Sequence, residues 1–127
     1  MLWTFRCYVS PRGVDEIRAW YDSLPSKARA KFDSRVGTLQ ALPRHLWKRE
    51  PFDLLAGECE GLGEIRFLFG NVQYRPLGFF SPGHVFTLVI GAVERDGRFD
   101  PRNACAVGLA RRAEIEANKD RSHACTF

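Results

Sequence analysis

The sequence predicts an α+β domain with the element order β-α-α-β-β-β-α: a mainly antiparallel twisted sheet flanked by a helical hairpin and a C-terminal helix. Three observations carry that prediction. Apolar residues recur at helical spacing between Val14 and Leu42. Strand-forming residues then dominate from about Leu62 to Val93. A stretch of helical composition, RNACAVGLARRAEIEAN, follows Asp100-Pro101.

Leu2 to Val9, aromatic and β-branched and closed by Ser10-Pro11 and Gly13, reads as the first strand. Val14, Ile17, Trp20 or Tyr21, and Leu24 then fall on one face of a helix that Pro25 interrupts. Ser26 suits the cap of a second helix, which carries Ala28, Phe32, Val36 and Leu39 on one side and ends before Pro43. PRHLWKREPF is a proline-bounded basic loop. Asp100 as cap and Pro101 in the first turn open the last helix, leaving the tail from about 119 to 127 loose. A chain of 127 residues without linkers or repeats makes one domain, 1–127.

Gly70-Asn71 between Phe69 and Val72 is a two-residue hairpin turn, with glycine first as a type II′ turn prefers. Counting outward pairs Phe69 with Val72, Phe67 with Tyr74 and Ile65 with Pro76 on an apolar face. The other face pairs Leu68 with Gln73, Arg66 with Arg75, and Glu64 with Leu77. Two arginines thus stand directly opposite each other, an arrangement that destabilises a sheet unless something offsets it. Either Glu64 relieves the repulsion on a solvated face, or the arginines form an anion site. Pro76 implies an edge position or a bulge. VFTLVIGAV reads as a strand covered on both faces, and the C-terminal helix is placed beside the arginine face to make it a groove. Glu94, Arg95 and Arg98 follow that strand and are placed to line the same groove.

The net charge is +4, and 15 of the 19 basic residues are arginine, whose planar fork suits phosphate. A groove of arginines and carboxylates, with no metal-ligand spacing in view, suits RNA cleavage by the neighbouring 2′-OH. Guanidinium groups would stabilise the charge that builds on phosphate, and Glu64 or Glu94 would accept the hydroxyl proton. Lys48 and Arg49 beside Trp47 offer a loop that could clamp RNA backbone on an aromatic platform; the alternative is a tucked tryptophan with exposed charges. Lys27, Lys31 and Arg35 make a basic helix stripe, either an RNA contact or a solvated face. Phe79 and Phe80 straddle the sheet, both core or one of them a base-stacking ring. His45 and His84 read as surface loop residues. The four cysteines, Cys7, Cys59, Cys105 and Cys125, show no regular spacing and read as reduced thiols of a cytoplasmic protein. The opening segment is too short and too basic for a signal peptide, and no segment approaches a membrane span.

The runs LLAGECEGLGEIRF, YRPLGFF and FTLVIGAVERDGRFDP, with ARRAEI on the last helix and WYDSLP in the helical hairpin, resemble the HigB-like, phage-derived branch of the RelE/ParE toxin superfamily. The resemblance covers nearly the whole chain. It implies the RelE-like form of the fold above, and a cytoplasmic type II toxin that cleaves mRNA on the ribosome and so inhibits translation. A cognate helix-turn-helix antitoxin is the implied partner, with no cofactor and no membrane association. By position Arg66 and Arg75 match the family's basic strand residues, and Arg95 the basic position after the last strand. Glu64 stands where some relatives are basic. Phe99 stands where some relatives carry a tyrosine or histidine as general acid, and His84 is a poor geometric substitute. This reading makes Arg66, Arg75 and Glu64 catalytic, and Arg95, Arg98, Lys48 and Arg49 phosphate contacts. The ParE-like alternative binds and inhibits DNA gyrase without a nuclease group; a third alternative is an inactive phage-derived relic.

Overall fold

A computed structural model describes residues 2–127. The chain forms β1 (Thr4–Tyr8), α1 (Glu16–Ser23), α2 (Ser26–Gln40), β2 (Phe52–Leu54), β3 (Gly63–Ile65), β4 (Phe67–Phe69), β5 (Val72–Tyr74), β6 (Leu77–Ser81), β7 (Val85–Ile90), β8 (Val93–Arg95), β9 (Arg98–Asp100), α3 (Ala104–Ala117) and β10 (Ser122–Ala124). A six-stranded sheet has the order β10-β1-β7-β6-β3-β2, and a four-stranded sheet has the order β4-β5-β8-β9. Among the described residues, only the β1–β7 pair is parallel.

This architecture corrects the expected RelE-like order of one four-stranded sheet with three helices. The three helices are present, but ten strands lie in two sheets. The physical reason is local. Three long extended segments, 63–69, 72–81 and 85–95, each break once and contribute a strand to both sheets. Pro76, expected at an edge or a bulge, cannot donate to a ladder and falls in the break between β5 and β6; the β6–β7 register shifts next to it, between Leu77 and Gly78. Gly91-Ala92 breaks the third segment, where a Cβ on Gly91 would collide with the Trp20 ring. Arg98–Asp100 closes the second sheet as β9, so Asp100-Pro101 ends a strand, and α3 begins at Ala104 with Asn103 at its N-cap position.

The helical hairpin follows the sequence pattern. Asp15 caps α1 by accepting from the Arg18 backbone N–H at 2.8 Å. Ala28, Phe32, Val36 and Leu39 are the buried residues of α2, four positions on one face. Phe32 lies between Trp20, Tyr21, Phe67 and Phe127, so the hairpin packs on the apolar face of β4 and β5. Around Trp47 a second aromatic group collects Trp3, Phe5, Phe52, Phe80 and Phe86. The other face of the large sheet buries Leu62, Leu77, Phe79, Val89 and Ile90 beneath α3, which approaches closely at Gly108. β7 is therefore covered on both faces, as its continuous apolar run predicts.

Two expectations about the ends of the chain are corrected. The segment after Asn118, expected to be loose, forms β10 on the free edge of β1, and the Phe127 ring stacks on Tyr21 at 4.8 Å. The cysteines, expected to be free thiols, form the disulfides Cys7–Cys125 and Cys59–Cys105. Their Cα separations of 5.1 and 4.9 Å suit such bonds. Sequence spacing conceals both pairs, because the partners are 118 and 46 residues apart; the β1–β10 edge brings the first pair together, and the start of α3 against the loop after β2 the second. Among the described residues, no helix is long and apolar enough to cross a membrane.

Candidate functional site

The long hairpin keeps one register across both sheets. Phe67 opposes Tyr74 in the small sheet and Glu64 opposes Leu77 in the large one, with no residue inserted between. Arg66 and Arg75 therefore occupy opposite positions, as counting from the turn predicts. They lie in the gap where the ladder is interrupted: the Arg66 N–H donates outward to Pro51 O at 2.9 Å and the Arg75 N–H to Ala92 O at 2.8 Å. The turn differs in type. Gly70 and Asn71 both have positive φ, 58° and 64°, which makes a type I′ turn in place of II′.

The like-charge pair is offset by two carboxylates. Arg66 Nη1 donates to Glu64 Oε2, while Arg75 Nε lies 3.7 Å from the same oxygen and 3.5 Å from Glu94 Oε1. Arg75 also donates to Tyr74 O at 2.9 Å and to Gln73 Oε1 at 2.8 Å. Glu64 and Arg75 are 4% and 5% exposed, so these charges interact in a poorly solvated setting. Burial pushes the Glu64 carboxyl above its ordinary value, against the opposing pull of Arg66 and Arg75. Burial, then the Arg66 charge, holds the Arg75 guanidinium below its ordinary value. Among the described residues, the buried side-chain polar atoms without a hydrogen-bond partner are Arg66 Nε and Arg75 Nε. Each is a charged donor with one strong bond unmade.

Both side chains line a cleft of about 250 Å³, shared with Arg35, Glu50, Phe67, Leu68 and Gln73. Three guanidinium groups thus reach one concavity, from α2 and from the two strand breaks. Arg35 enters it as part of the basic helix stripe, and Lys31 bonds Leu68 O at 3.0 Å beside it. The C-terminal helix does not wall this cleft. It lies over the large sheet, and the opposite wall comes from α2 and the loop before β2.

The remaining candidates disperse. Glu94 joins the cluster, and Arg98 lines a neighbouring cavity with it. Arg95 is exposed and pairs with Asp100 at 3.2 Å, so it does not reach the central pair. Arg49 pairs with Asp53 at 3.0 Å, and Lys48 is exposed. Trp47 is buried and donates through Nε1 to Leu42 O, which removes the proposed aromatic platform. Phe79 is buried and Phe80 half-buried, each beneath an arginine, Arg112 and Arg44 respectively. His45 and His84 are exposed. Glu50 and Gln73 line the cleft but are not among the site residues the sequence singles out. Gln73 could have been found, because the hairpin register puts it on the arginine face. Glu50 could not, because its position depends on how an irregular loop folds back.

Among the described residues, no group of three or more metal-ligating side chains comes together. The cleft can bind an anion: it is lined by the guanidinium groups of Arg35, Arg66 and Arg75, with one solvent-facing carboxylate, Glu50, at its rim. Comparison with known proteins adds no name to this geometry: no family model matches the chain, and neither does any curated protein or solved structure.

Proposed function

We propose that the protein is an endoribonuclease that binds the RNA backbone in the cleft between α2 and the central hairpin. The observation that carries this reading is the convergence of three arginines, Arg35, Arg66 and Arg75, on one cleft. A phosphodiester has the charge and the acceptor oxygens to satisfy them. In the reaction the ribose 2′-oxygen bonds to phosphorus and the bond from phosphorus to the 5′-oxygen breaks, leaving a 2′,3′-cyclic phosphate. The 2′-OH proton passes to a carboxylate and a proton from solvent reaches the leaving 5′-oxygen. Arg66 and Arg35 stabilise the charge that builds on phosphate, and Arg75 reinforces them from the floor of the cleft. Glu64 is too deeply buried to meet a hydroxyl and acts as the orienting group for both arginines. Glu50, at the rim, is the base this reading favours.

The cellular role we attach to this activity is that of a toxin acting on translated messages in the cytoplasm, neutralised by an antitoxin partner. A binding-only toxin is the second reading. It is favoured by the engagement of Arg75 with Gln73, Tyr74 and two carboxylates, which leaves less of it for substrate.

The test uses purified protein and a defined RNA in the presence of a chelator, with cut positions and end chemistry mapped. Wild type is expected to give 2′,3′-cyclic ends, and Arg66→Ala to cut about 10²–10³-fold more slowly. RNA binding without cuts would overturn the nuclease step. Neither RNA binding nor cuts from folded protein would overturn the RNA reading and leave the gyrase-binding toxin.

A further inference from the structure

A cavity of about 400 Å³ adjoins the arginine cluster, between the β8–β9 hairpin, the loop after β2 and the start of α3. Glu94 lines it and at the same time lies 3.5 Å from Arg75 Nε. In register Glu94 opposes Gln73, which lines the phosphate cleft, so the cavity and the cleft are one strand apart on the same sheet. The volume falls in the range of small-ligand sites. Its wall combines a planar ring, Phe99, with the aliphatic side chain of Leu55 and the Cys59–Cys105 disulfide. Glu58 contributes an exposed carboxylate, and Arg98 and Arg102 contribute guanidinium groups.

We infer that this cavity is a nucleobase subsite selecting guanine, next to the phosphate held by Arg66 and Arg75. The inference rests on the RNA reading for its placement, and on the cavity's own chemistry for its specificity. Guanine presents two acceptors, N7 and O6, to a guanidinium fork, and two donors, N1–H and the N2 amino group, to a carboxylate. Adenine and cytosine lack the O6/N7 acceptor pair, and uracil lacks the amino group. A cavity holding both arginine and glutamate around an apolar, ring-lined slot matches guanine on both edges. Arg98 or Arg102 reads O6 and N7, Glu58 accepts from N1–H and N2, and Phe99 gives the base a face to stack on. Phe99, which cannot act as a general acid, thereby acquires a role. Glu94 is the shared wall that keeps Arg75 beside the subsite.

The experiment measures binding of the four nucleoside 3′-monophosphates, which contain no cleavable internucleotide bond, and separately maps cut positions on RNA. Guanosine 3′-monophosphate is expected to bind about tenfold or more tightly than the other three, as one bidentate pair predicts. Glu58→Gln and the double variant Arg98→Ala/Arg102→Ala, all at exposed positions, are expected to erase the preference while the fold persists. Equal binding of all four nucleotides, or none by folded wild type, would overturn the subsite. Guanine-selective binding without RNA cuts would uphold the subsite and remove the nuclease reading. RNA cuts without base preference would uphold the nuclease and remove the subsite.

Discussion

Glu64 Oε2 accepts from Arg66 and lies 3.7 Å from Arg75 Nε, so one buried carboxylate serves two guanidinium groups from opposite strands. The hairpin tolerates facing arginines because the countercharge is built into the strand two residues away, with Glu94 supplying the second from the neighbouring strand. The cluster is neutral in sum, so an approaching phosphate competes with its own carboxylates, and Arg35 supplies the additional positive charge in the cleft.

Removing Glu64 leaves two buried cations facing each other. Glu64→Ala is expected to lower unfolding free energy by about 3–5 kcal/mol in urea denaturation, the range for breaking a buried pair. Glu94→Ala, whose side chain is partly exposed, should cost under about 1 kcal/mol. A Glu64→Ala variant as stable as wild type would show that the arginines do not depend on it.

The Glu64 carboxyl titrates above its ordinary value, so the folded protein binds this proton more tightly than the unfolded chain. Its contribution to stability is fully present below the ordinary glutamate pKa and is lost as pH rises through the raised value. Arg66, Arg75 and Asp53 are the charged groups facing it. Denaturation midpoints measured from roughly pH 4 to pH 8 should fall more steeply in wild type than in Glu64→Gln. Parallel profiles would remove the assignment.

Gly78 sits at the irregularity in β6, where an added Cβ would lie 2.5 Å from Thr87 O and from the Phe86 ring. Gly78→Ala is expected to destabilise by about 1–3 kcal/mol, because backbone and a packed ring must both move. Thermal melts of the purified variant read this directly, and an unchanged Tm would contradict the close approach.

The cysteines give a compartment-sensitive prediction. Oxidised protein should resist thiol labelling until denatured and reduced, and loss of the Cys7–Cys125 bridge should cost about 5 kcal/mol by loop entropy. Disulfides persist in oxidising compartments, whereas a cytoplasmic toxin would meet thiol reductants. Quenching cells directly into acid and alkylating the cysteines separates the two. Four labelled thiols would support the cytoplasmic setting, and four protected ones would count against it.

What the sequence reveals depends on the range of the interaction that decides each feature. Ala28, Phe32, Val36 and Leu39 announce their helix because four residues on one face need only local spacing. The Gly70-Asn71 turn announces the register from Phe69↔Val72 out to Glu64↔Leu77, because side-chain alternation propagates a local turn along two strands. Pro76 gives notice of a bulge but not that three segments would break together and divide between two sheets, which is settled by Trp20 at Gly91 and by the shift at Gly78. β10 is three residues long and carries no pattern; it forms because the free edge of β1 and a cysteine await it. At the site, Glu64, Arg66 and Arg75 were legible through the hairpin, whereas Glu50 and Arg35 join them only through tertiary packing.

The Cys7–Cys125 bridge closes the chain between these two residues into a covalent ring. A pull on the chain flanking the bridge is carried across the sulfur bond and does not extend the loop it encloses. The chain enclosed by the bridge, with the helices and the arginine cluster, thus cannot be drawn out from either side. A fusion partner, a surface tether or an unfoldase pulling ahead of Cys7 can at most strip Thr4–Arg6 from β7 and draw Trp3 and Phe5 from the core until the bridge is reduced.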